Sequence, residues 1–172
     1  VKFFPAEAAG GLNMIKSMSA PYGNLMFMPT GGINEENMLA YLAFNKIIAC
    51  GGSFMVKDSL IDAGNFEEIT KLTKSAVMKM LGFKLAHIGI NCENKESATS
   101  SAKLICTLFG LDYKEGNKST FCGSEFELMH TPYYGKNGHI AIATNFPDRA
   151  KAYLEKQGVA FTVYSLFTVA VY

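Results

Sequence analysis

With 172 residues, the chain is long enough for one domain or for two small ones. Hydrophobic residues make up 49% of it and charged residues 18%, a balance that predicts a globular protein and excludes a disordered one. The formal net charge of +1, without a lysine or arginine cluster, gives no indication of a nucleic acid or a membrane surface as partner. Without a C-x-x-C pair or a bilayer-spanning apolar run, we expect a cytoplasmic protein with reduced core thiols at Cys50, Cys92, Cys106 and Cys122.

The first 45 residues alternate between strand and helix patterns. The apolar segment "VKFF" predicts a strand, and Leu12, Ile15 and Met18, three residues apart, predict a helix after it. "NLMFMPTGG" predicts the second strand. The next helix is predicted to start at Asn34 as N-cap, with two glutamates in its first turn. Its predicted buried face consists of Met38, Leu39, Leu42 and Ala43.

A third strand and helix follow. "KIIACGG" is continuously apolar, which favours a strand in a parallel sheet covered on both faces. Asn65 and Glu68 form a capping-box signal for the last helix of this half. Strand–helix repeats of this length indicate a parallel α/β sheet. The core stripe of the last helix is predicted to be Ile69, Leu72, Ala76 and Met80.

The pattern changes at residues 81–84, where we place a domain boundary, and residues 84–172 contain an internal repeat. "HIGIN" and "HIAIAT" each begin with a histidine and lead to a helix that a glycine ends, Gly110 in one case and Gly158 in the other. Alternating strands lie between the two units. This half therefore reads as α+β built from a duplicated strand–helix unit. The chargeless tail after Gly158 is either a true strand or a sequence without its native ending.

Lys2, inside the first strand, has two interpretations. A strand-end lysine ordinarily packs its stem on apolar neighbours and extends its ammonium into water. Alternatively, Phe3, Phe4 and Pro5 desolvate the amine, which disfavours the ammonium form and supplies the free base that attacks a ketone to form a Schiff base.

Two glycine pairs end the next two strands, in "PTGGI" and "GGS". Glycine lets backbone N–H groups approach an anion, and Thr30 and Ser53 add hydroxyl donors. In parallel barrels the loops after the last two strands commonly hold a phosphate. A glycine pair alone also serves an ordinary turn, so the indication comes from two pairs after consecutive strands with a lysine on the strand before.

"KFFPAEAAGG", "FMPTGGINEENMLAYLA" and "IIACGGSFMV" resemble the 2-keto-3-deoxy-6-phosphogluconate aldolase family, which also cleaves 4-hydroxy-2-oxoglutarate. The resemblance implies that residues 1–81 are the last three strand–helix units of a (β/α)8 barrel of a trimeric class I aldolase without cofactor. Lys2 would be the Schiff-base lysine, and Phe4 and Pro5 would line the pyruvyl part of a phosphorylated keto-acid substrate. The substrate phosphate would lie among Thr30, Gly31, Gly32, Gly51, Gly52 and Ser53.

The general acid/base glutamate of that family lies on earlier strands, which we expect upstream of Val1; Glu7, in the loop after the strand, is not assigned that role. Because the chain begins inside a strand pattern with Val1 instead of methionine, we expect a fragment. Three of eight units cannot close a barrel, so we expect poor stability alone and impaired catalysis.

Residues 84–172 resemble the vicinal-oxygen-chelate (glyoxalase-like) fold of paired βαβββ modules, in "GHIAIATN" and "FELMHTPY". The resemblance implies that His87, Glu127 and His139 ligate Zn²⁺, Ni²⁺ or Fe²⁺. The tail offers no fourth ligand, which is consistent with a truncated second domain. Duplicated packing histidines explain the same pattern, and His130 is expected at the surface.

Three functions are consistent with these patterns. The first is the aldolase, which releases pyruvate and either glyceraldehyde 3-phosphate or glyoxylate. The second is a small-ligand or metal-binding glyoxalase-like module joined to an inert barrel remnant. The third is another phosphate-binding barrel in which the lysine only contacts substrate.

Overall fold

This computed structural model describes residues 1–165 and 168–170, and side chains up to residue 161. The chain divides into two compact units, Val1–Met80 and Leu81–Tyr172. None of the helices in those ranges combines the length and the apolar character needed to cross a membrane.

The first unit alternates short strands and helices in the predicted order. Its described elements are β1 Lys2–Phe3, α1 Gly11–Ser19, β2 Met28–Pro29, α2 Met38–Leu42, α3 Asp58–Asp62 and α4 Phe66–Leu81. The short helix α3 has no counterpart among the sequence predictions. The buried side chains include Ile15 of α1, Phe27 beside β2 and Tyr41 of α2, so the core lies where the helices cover the strands.

Strands β1 and β2 are parallel, as the sequence predicts, with Lys2 opposite Met28 and Phe3 opposite Pro29. The predicted third strand does not form a continuous ladder. It contacts β2 through two isolated parallel bridges, Phe27 to Ile47 and Thr30 to Gly51. Among the described residues of this unit, no strand pairs with the other side of residues 47–51. Among the described strands, this segment pairs with β2 alone, and a continuous ladder does not form.

Helix α2 begins three residues later than predicted, with Asn37 instead of Asn34 at the N-cap position. The Asn34 side chain accepts hydrogen bonds from the backbone N–H groups of Glu36 and Asn37, at 2.9 and 3.1 Å, and so it caps a turn before the helix. The observed helix starts at Met38. In the observed helix Tyr41 is buried with Met38 and Leu42, whereas Leu39 is half-buried and Ala43 is exposed, so two of the four residues predicted on the buried face are buried.

The start of α4 agrees with the capping signal. The Glu68 N–H group donates to Asn65 Oδ1 at 3.2 Å, which satisfies one of the free N–H groups of the first turn. On the predicted stripe, Ala76 is buried and the other three residues, Ile69, Leu72 and Met80, are half-buried.

The second unit contains a five-stranded sheet in the order β4-β5-β6-β3-β7. Strand β3 is parallel to β6 and antiparallel to β7. Along the chain the unit therefore begins β-α-β-β-β and then repeats with a strand and a helix. Its elements are β3 Lys84–Asn91, α5 Lys95–Phe109, β4 Tyr113–Glu115, β5 Ser119–Cys122, β6 Phe126–Met129, β7 Gly138–Ala143, α6 Pro147–Lys156, β8 Thr162–Ser165 and β9 Thr168–Ala170.

Helix α5 covers one face of this sheet. Asn94 and Ser97 form a capping box at its start, and Gly110, with a left-handed φ of 65°, ends it as predicted. Its small buried side chains pack against the sheet in a core of Ala98, Ala102, Cys106, Cys122 and Leu128.

The tail after Gly158 contains an antiparallel pair of short strands, β8 and β9. The prediction that this tail is a strand or an altered ending also concerns residues 166–167 and 171–172, which lie outside the described residues.

Candidate functional site

In the first unit, the ends of three parallel segments meet at one edge. The Thr30 N–H group donates to Phe3 O at 2.9 Å, and the Ala6 N–H group donates to Thr30 O at 2.8 Å. Gly51 N–H donates to Pro29 O at 2.9 Å. The loop after β1 and both glycine pairs therefore lie side by side, because parallel strands end at the same edge.

In the first pair, glycine is required because the backbone has positive φ values and because neighbouring atoms leave no room for a side chain. Gly31 and Gly32 have φ values of 91° and 81°, which side-chain-bearing residues rarely adopt. A Cβ on Gly31 would lie 3.0 Å from the Phe4 ring, and one on Gly32 would lie 2.6 Å from Glu7 Cβ. The loop after β1 thus packs directly on this glycine pair.

In the second pair, glycine is required because neighbouring atoms leave no room for a side chain. A Cβ on Gly51 would lie 2.6 Å from Thr30 Cγ2, and one on Gly52 would lie 2.9 Å from Ile33 O. The Thr30 hydroxyl is buried and has no hydrogen-bond partner among the residues the structure describes. A buried hydroxyl of this kind suits an anion bound between the loops, since an unsatisfied one is costly. Ser53 is exposed beside them.

Glu7 is held by a contact that the sequence did not predict. The buried Tyr41 hydroxyl donates a hydrogen bond to Glu7 Oε1. Burial, with a further contribution from the Glu7 carboxylate, raises the pKa of Tyr41 above its usual value. This pair fixes the loop after β1 to helix α2.

The second unit brings together three side chains that the sequence proposed as ligands. His87 lies on β3, Glu127 on β6 and His139 on β7. Glu127 Oε2 lies 3.0 Å from His87 Nε2 and 3.6 Å from His139 Nε2. The two Nε2 atoms are 3.1 Å apart.

The register of the sheet explains why these three side chains lie close together. Strand β3 lies between β6 and β7, and its Gly89 is opposite Glu127 on one side and His139 on the other. His87 precedes Gly89 by two residues and so shares its face. The imidazole of His139 lies over Gly89, where a Cβ would be 2.0 Å from its Cε1 atom. Gly89 was missed from sequence, although a glycine inside a strand indicates a close approach.

The cluster is partly shielded from water. Burial lowers the pKa of His139, and the neighbouring His87 lowers it further, against the opposing effect of Glu127. This shift favours the neutral imidazole, which is the form that binds a metal. Ser119 Oγ donates to Glu127 Oε1 at 2.6 Å. His139 Nδ1 is buried and has no hydrogen-bond partner within the described ranges.

Aromatic rings border the cluster. Phe121 meets His87 edge-on with ring centroids 6.1 Å apart, and Tyr134 meets His139 at 6.0 Å. Asn91 holds the loop that carries Tyr134: its Nδ2 donates to Tyr134 O at 3.3 Å, and its Oδ1 accepts from Tyr133 N–H at 3.0 Å. Aromatic rings therefore lie against both histidines of the cluster, and Asn91 holds the loop that carries one of these rings.

The donor set fits a divalent metal. One ligand atom from each of the three residues lies within 4.8 Å of the others. Around a tetrahedral zinc-like ion, ligand bonds of about 2.0–2.2 Å separate the donor atoms by roughly 3.4 Å. The observed separations of 3.0, 3.1 and 3.6 Å lie close to that distance.

The first unit is similar to known proteins. Residues 1–72 match the KDPG and KHG aldolase family. The chain is 51% identical over 77 residues to the 2-dehydro-3-deoxy-phosphogluconate aldolase of Haemophilus influenzae, a match that covers 45% of this chain and 36% of that protein. It is 42% identical over 76 residues to the KHG/KDPG aldolase of Escherichia coli K12, covering 44% of this chain and 36% of that protein. The chain thus spans about a third of the length of these relatives.

Solved aldolase structures also match. The KDPG aldolase of Legionella pneumophila, crystallised with pyruvate captured as a covalent carbinolamine intermediate, is 41% identical, with a TM-score of 0.42. That match covers 44% of this chain and 36% of the Legionella chain.

Within residues 1–72, the structure agrees with the first interpretation of Lys2, a strand lysine that reaches water, and contradicts the alternative of a desolvated amine. Lys2 is exposed, its Nζ lies 5.9 Å from the centroid of the Phe4 ring, and that ring is itself 68% exposed. Pro5 is exposed too. The physical reason is that β1 pairs only with β2 among the described strands, so no second neighbour covers these side chains.

In the second unit, the expectation that His130 lies at the surface is wrong. His130 is only 6% exposed; its Nε2 lies 2.9 Å from Thr120 Oγ1 and its Nδ1 lies 3.3 Å from Asn117 O. Strand alternation places it on the face opposite Glu127, where Leu128 packs on α5.

Proposed function

We propose that the first unit carries the imine-forming and phosphate-binding part of a class I aldolase site. The observation that carries this proposal is the common edge of three parallel segments, with Lys2 on one and a glycine pair after each of the others. The family match over residues 1–72 supports it. In this proposal Lys2 is the Schiff-base residue, Phe4 and Pro5 border the pyruvyl group, and the phosphate lies among Thr30, Gly31, Gly32, Gly51, Gly52 and Ser53.

The chemistry follows from the amine. The Lys2 nitrogen attacks the C2 ketone of 2-keto-3-deoxy-6-phosphogluconate, and loss of water leaves a protonated imine. When a base removes the proton of the C4 hydroxyl, the C3–C4 bond breaks and its electron pair moves into the imine, giving an enamine and glyceraldehyde 3-phosphate. Protonation of the enamine at C3 and hydrolysis release pyruvate and restore the amine. With 4-hydroxy-2-oxoglutarate the aldehyde released is glyoxylate.

Two observations predict slow turnover by this chain. Lys2 is exposed, so water competes for its amine and for the imine. Glu7, the carboxylate in the loop after β1, is engaged by Tyr41. General acid–base catalysis ordinarily contributes about 10²–10⁴-fold. We therefore expect an imine with pyruvate but little aldol cleavage.

Trapping with borohydride tests the aldolase proposal. The chain is incubated with pyruvate and sodium borohydride, and peptide mapping by mass spectrometry locates the reduced adduct. Adduct on Lys2, lost in Lys2→Arg and retained in Lys16→Arg, supports the proposal; Lys16 is an exposed lysine that likewise contacts an aromatic ring. Adduct spread evenly over the lysines, or none, favours a barrel in which Lys2 only contacts substrate.

The remaining features of the whole protein belong to the same proposal. They are a phosphorylated keto-acid substrate, a homotrimeric complete protein and a cytoplasmic location. The names of the aldolase relatives support the substrate class, and the four free cysteines support a reducing compartment.

We also propose a second function, a divalent metal site in a glyoxalase-like second unit. The observation that favours it is the convergence of His87, Glu127 and His139 from three neighbouring strands. The β-α-β-β-β order of the unit supports the fold assignment. Two imidazoles and a carboxylate suit Zn²⁺, Ni²⁺ or Fe²⁺. When bound, such an ion would act as a Lewis acid on a ligand oxygen.

Metal analysis tests this second function. The purified chain is equilibrated with Zn²⁺, passed through a desalting column and analysed by mass spectrometry of the metal. One equivalent in the wild type, lost in His87→Ala and in Glu127→Gln, supports the site. Glu125→Gln is the matched control, because that carboxylate lies near Glu127 in sequence but is exposed. Equal metal content in all four proteins would favour packing histidines.

A further inference from the structure

Ser119 lies beside the cluster of His87, Glu127 and His139 without belonging to it. In the antiparallel β5–β6 pair, Phe121 is directly opposite Glu127, and Ser119 is opposite Met129. Ser119 is therefore the diagonal neighbour of Glu127 on the same face of the sheet. Its Oγ donates to Glu127 Oε1 at 2.6 Å, and the residue is only 6% exposed.

This hydrogen bond distinguishes the two carboxylate oxygens. Oε1 is bonded to Ser119, whereas Oε2 faces both imidazoles, at 3.0 and 3.6 Å. Phe121, the direct neighbour of Glu127, is apolar and contacts the His87 ring, so it offers no competing hydrogen bond. A buried hydroxyl that lost this acceptor would be left unsatisfied, which disfavours rotation of the carboxylate.

We propose that Ser119 is a positioning residue that makes Glu127 a one-oxygen metal ligand; the inference rests on the metal site proposed above. The serine holds Oε1 and so directs Oε2 at the ion between the two Nε2 atoms. It fixes a side chain with three rotatable bonds before the metal arrives, and pre-ordered ligands bind more tightly than mobile ones. Residues in this supporting role typically change metal affinity by about 10–100-fold when they are removed.

Titration with Co²⁺ tests the inference, because its visible absorption reports the number and type of ligands. We expect Ser119→Ala to bind Co²⁺ about 10–100-fold more weakly and to change the absorption bands, since the freed carboxylate can offer both oxygens. Ser119→Thr, which retains a hydroxyl, should restore most of the affinity and the wild-type bands. Ser101→Ala, at an exposed position of α5, is the matched control and should bind like wild type.

The outcomes separate this inference from the metal site itself. If the wild type binds no Co²⁺, both are wrong. If wild type and Ser119→Ala bind with equal affinity and identical bands, the metal site stands and the positioning role is wrong. X-ray absorption of the wild-type Co²⁺ complex is independent of any variant's folding: a single carboxylate oxygen supports the inference, and two overturn it.

Discussion

The imidazole of His139 lies directly over the backbone of Gly89 on the neighbouring strand, where a Cβ would come within 2.0 Å of the ring. The glycine thereby allows His139 Nε2 to approach His87 and Glu127. A buried glycine in the middle of a strand is otherwise unfavourable. Its position here is explained by the room it leaves for the ring.

Gly89→Ala should therefore separate the three donors. The added methyl group forces the His139 ring away from His87 and Glu127, so we expect the affinity for Zn²⁺ or Co²⁺ to fall by at least about tenfold. Overpacking of the sheet should also lower the free energy of unfolding by about 1–3 kcal/mol. Metal titration and urea unfolding measure the two effects. Gly23→Ala is the control, because its Cβ meets no atom within 4 Å. Unchanged metal affinity in Gly89→Ala would contradict the role of this contact.

The two glycine loops of the first unit should be energetically coupled through Thr30. Gly51→Ala places a Cβ 2.6 Å from Thr30 Cγ2, so we expect it to destabilise the unit by about 1–3 kcal/mol. Thr30→Ser removes that methyl group, and the double variant should recover part of the loss. Urea unfolding of the four proteins gives the coupling, expected at about 0.5–3 kcal/mol. Strictly additive effects would mean that the loops do not contact each other in solution.

Tyr41 should make the first unit sensitive to alkaline pH. Its pKa is raised in the folded chain above the ordinary value of 10.0. The unfolded chain therefore releases this proton first, and the stabilisation, complete below pH 10, is lost as the pH rises above that value. Tyr41→Phe removes both the titration and the hydrogen bond to Glu7. We expect a loss of about 0.5–1.5 kcal/mol at neutral pH.

Thermal unfolding between pH 8 and pH 11 measures this effect. The wild type should lose stability more steeply above pH 10 than Tyr41→Phe. Tyr22→Phe, at an exposed position, is the control and should follow the wild-type profile. Parallel profiles for all three proteins would show that the Tyr41–Glu7 hydrogen bond does not contribute to stability in solution.

Asn91→Ala should release the loop beside the second-unit cluster. The Asn91 amide bonds backbone groups of Tyr133, Tyr134 and Gly135, so its removal leaves one N–H group and two carbonyls of the loop without this partner. Hydrogen exchange should become faster at Tyr133 N–H, by about fivefold if the bond contributes the usual ~1 kcal/mol. Asn13→Ala, exposed on α1, is the control. Unchanged exchange at Tyr133 would show that the loop is held by other contacts.

Several elements could be predicted from sequence because their causes are local. The capping signal of Asn65 and Glu68 depends on residues three apart, and the observed α4 begins there. The start of α2 was predicted wrongly because the Asn34 side chain prefers a preceding turn, and both arrangements use the same residue types. The third strand of the first unit was predicted as a ladder, but it forms isolated bridges because strand formation depends on a neighbour.

The sequence by itself indicated most of the strands and helices in both halves, the two glycine pairs after consecutive segments, and the choice of His87, Glu127 and His139 as candidate ligands. Only the tertiary structure decided that Lys2 is exposed, that His130 is buried, and that Ser119 and Gly89 lie against those three side chains. The reason is that periodicity and capping are properties of neighbouring residues along the chain. Burial, register and side-chain contact depend on strands that lie tens of residues apart and are fixed only when the sheet assembles.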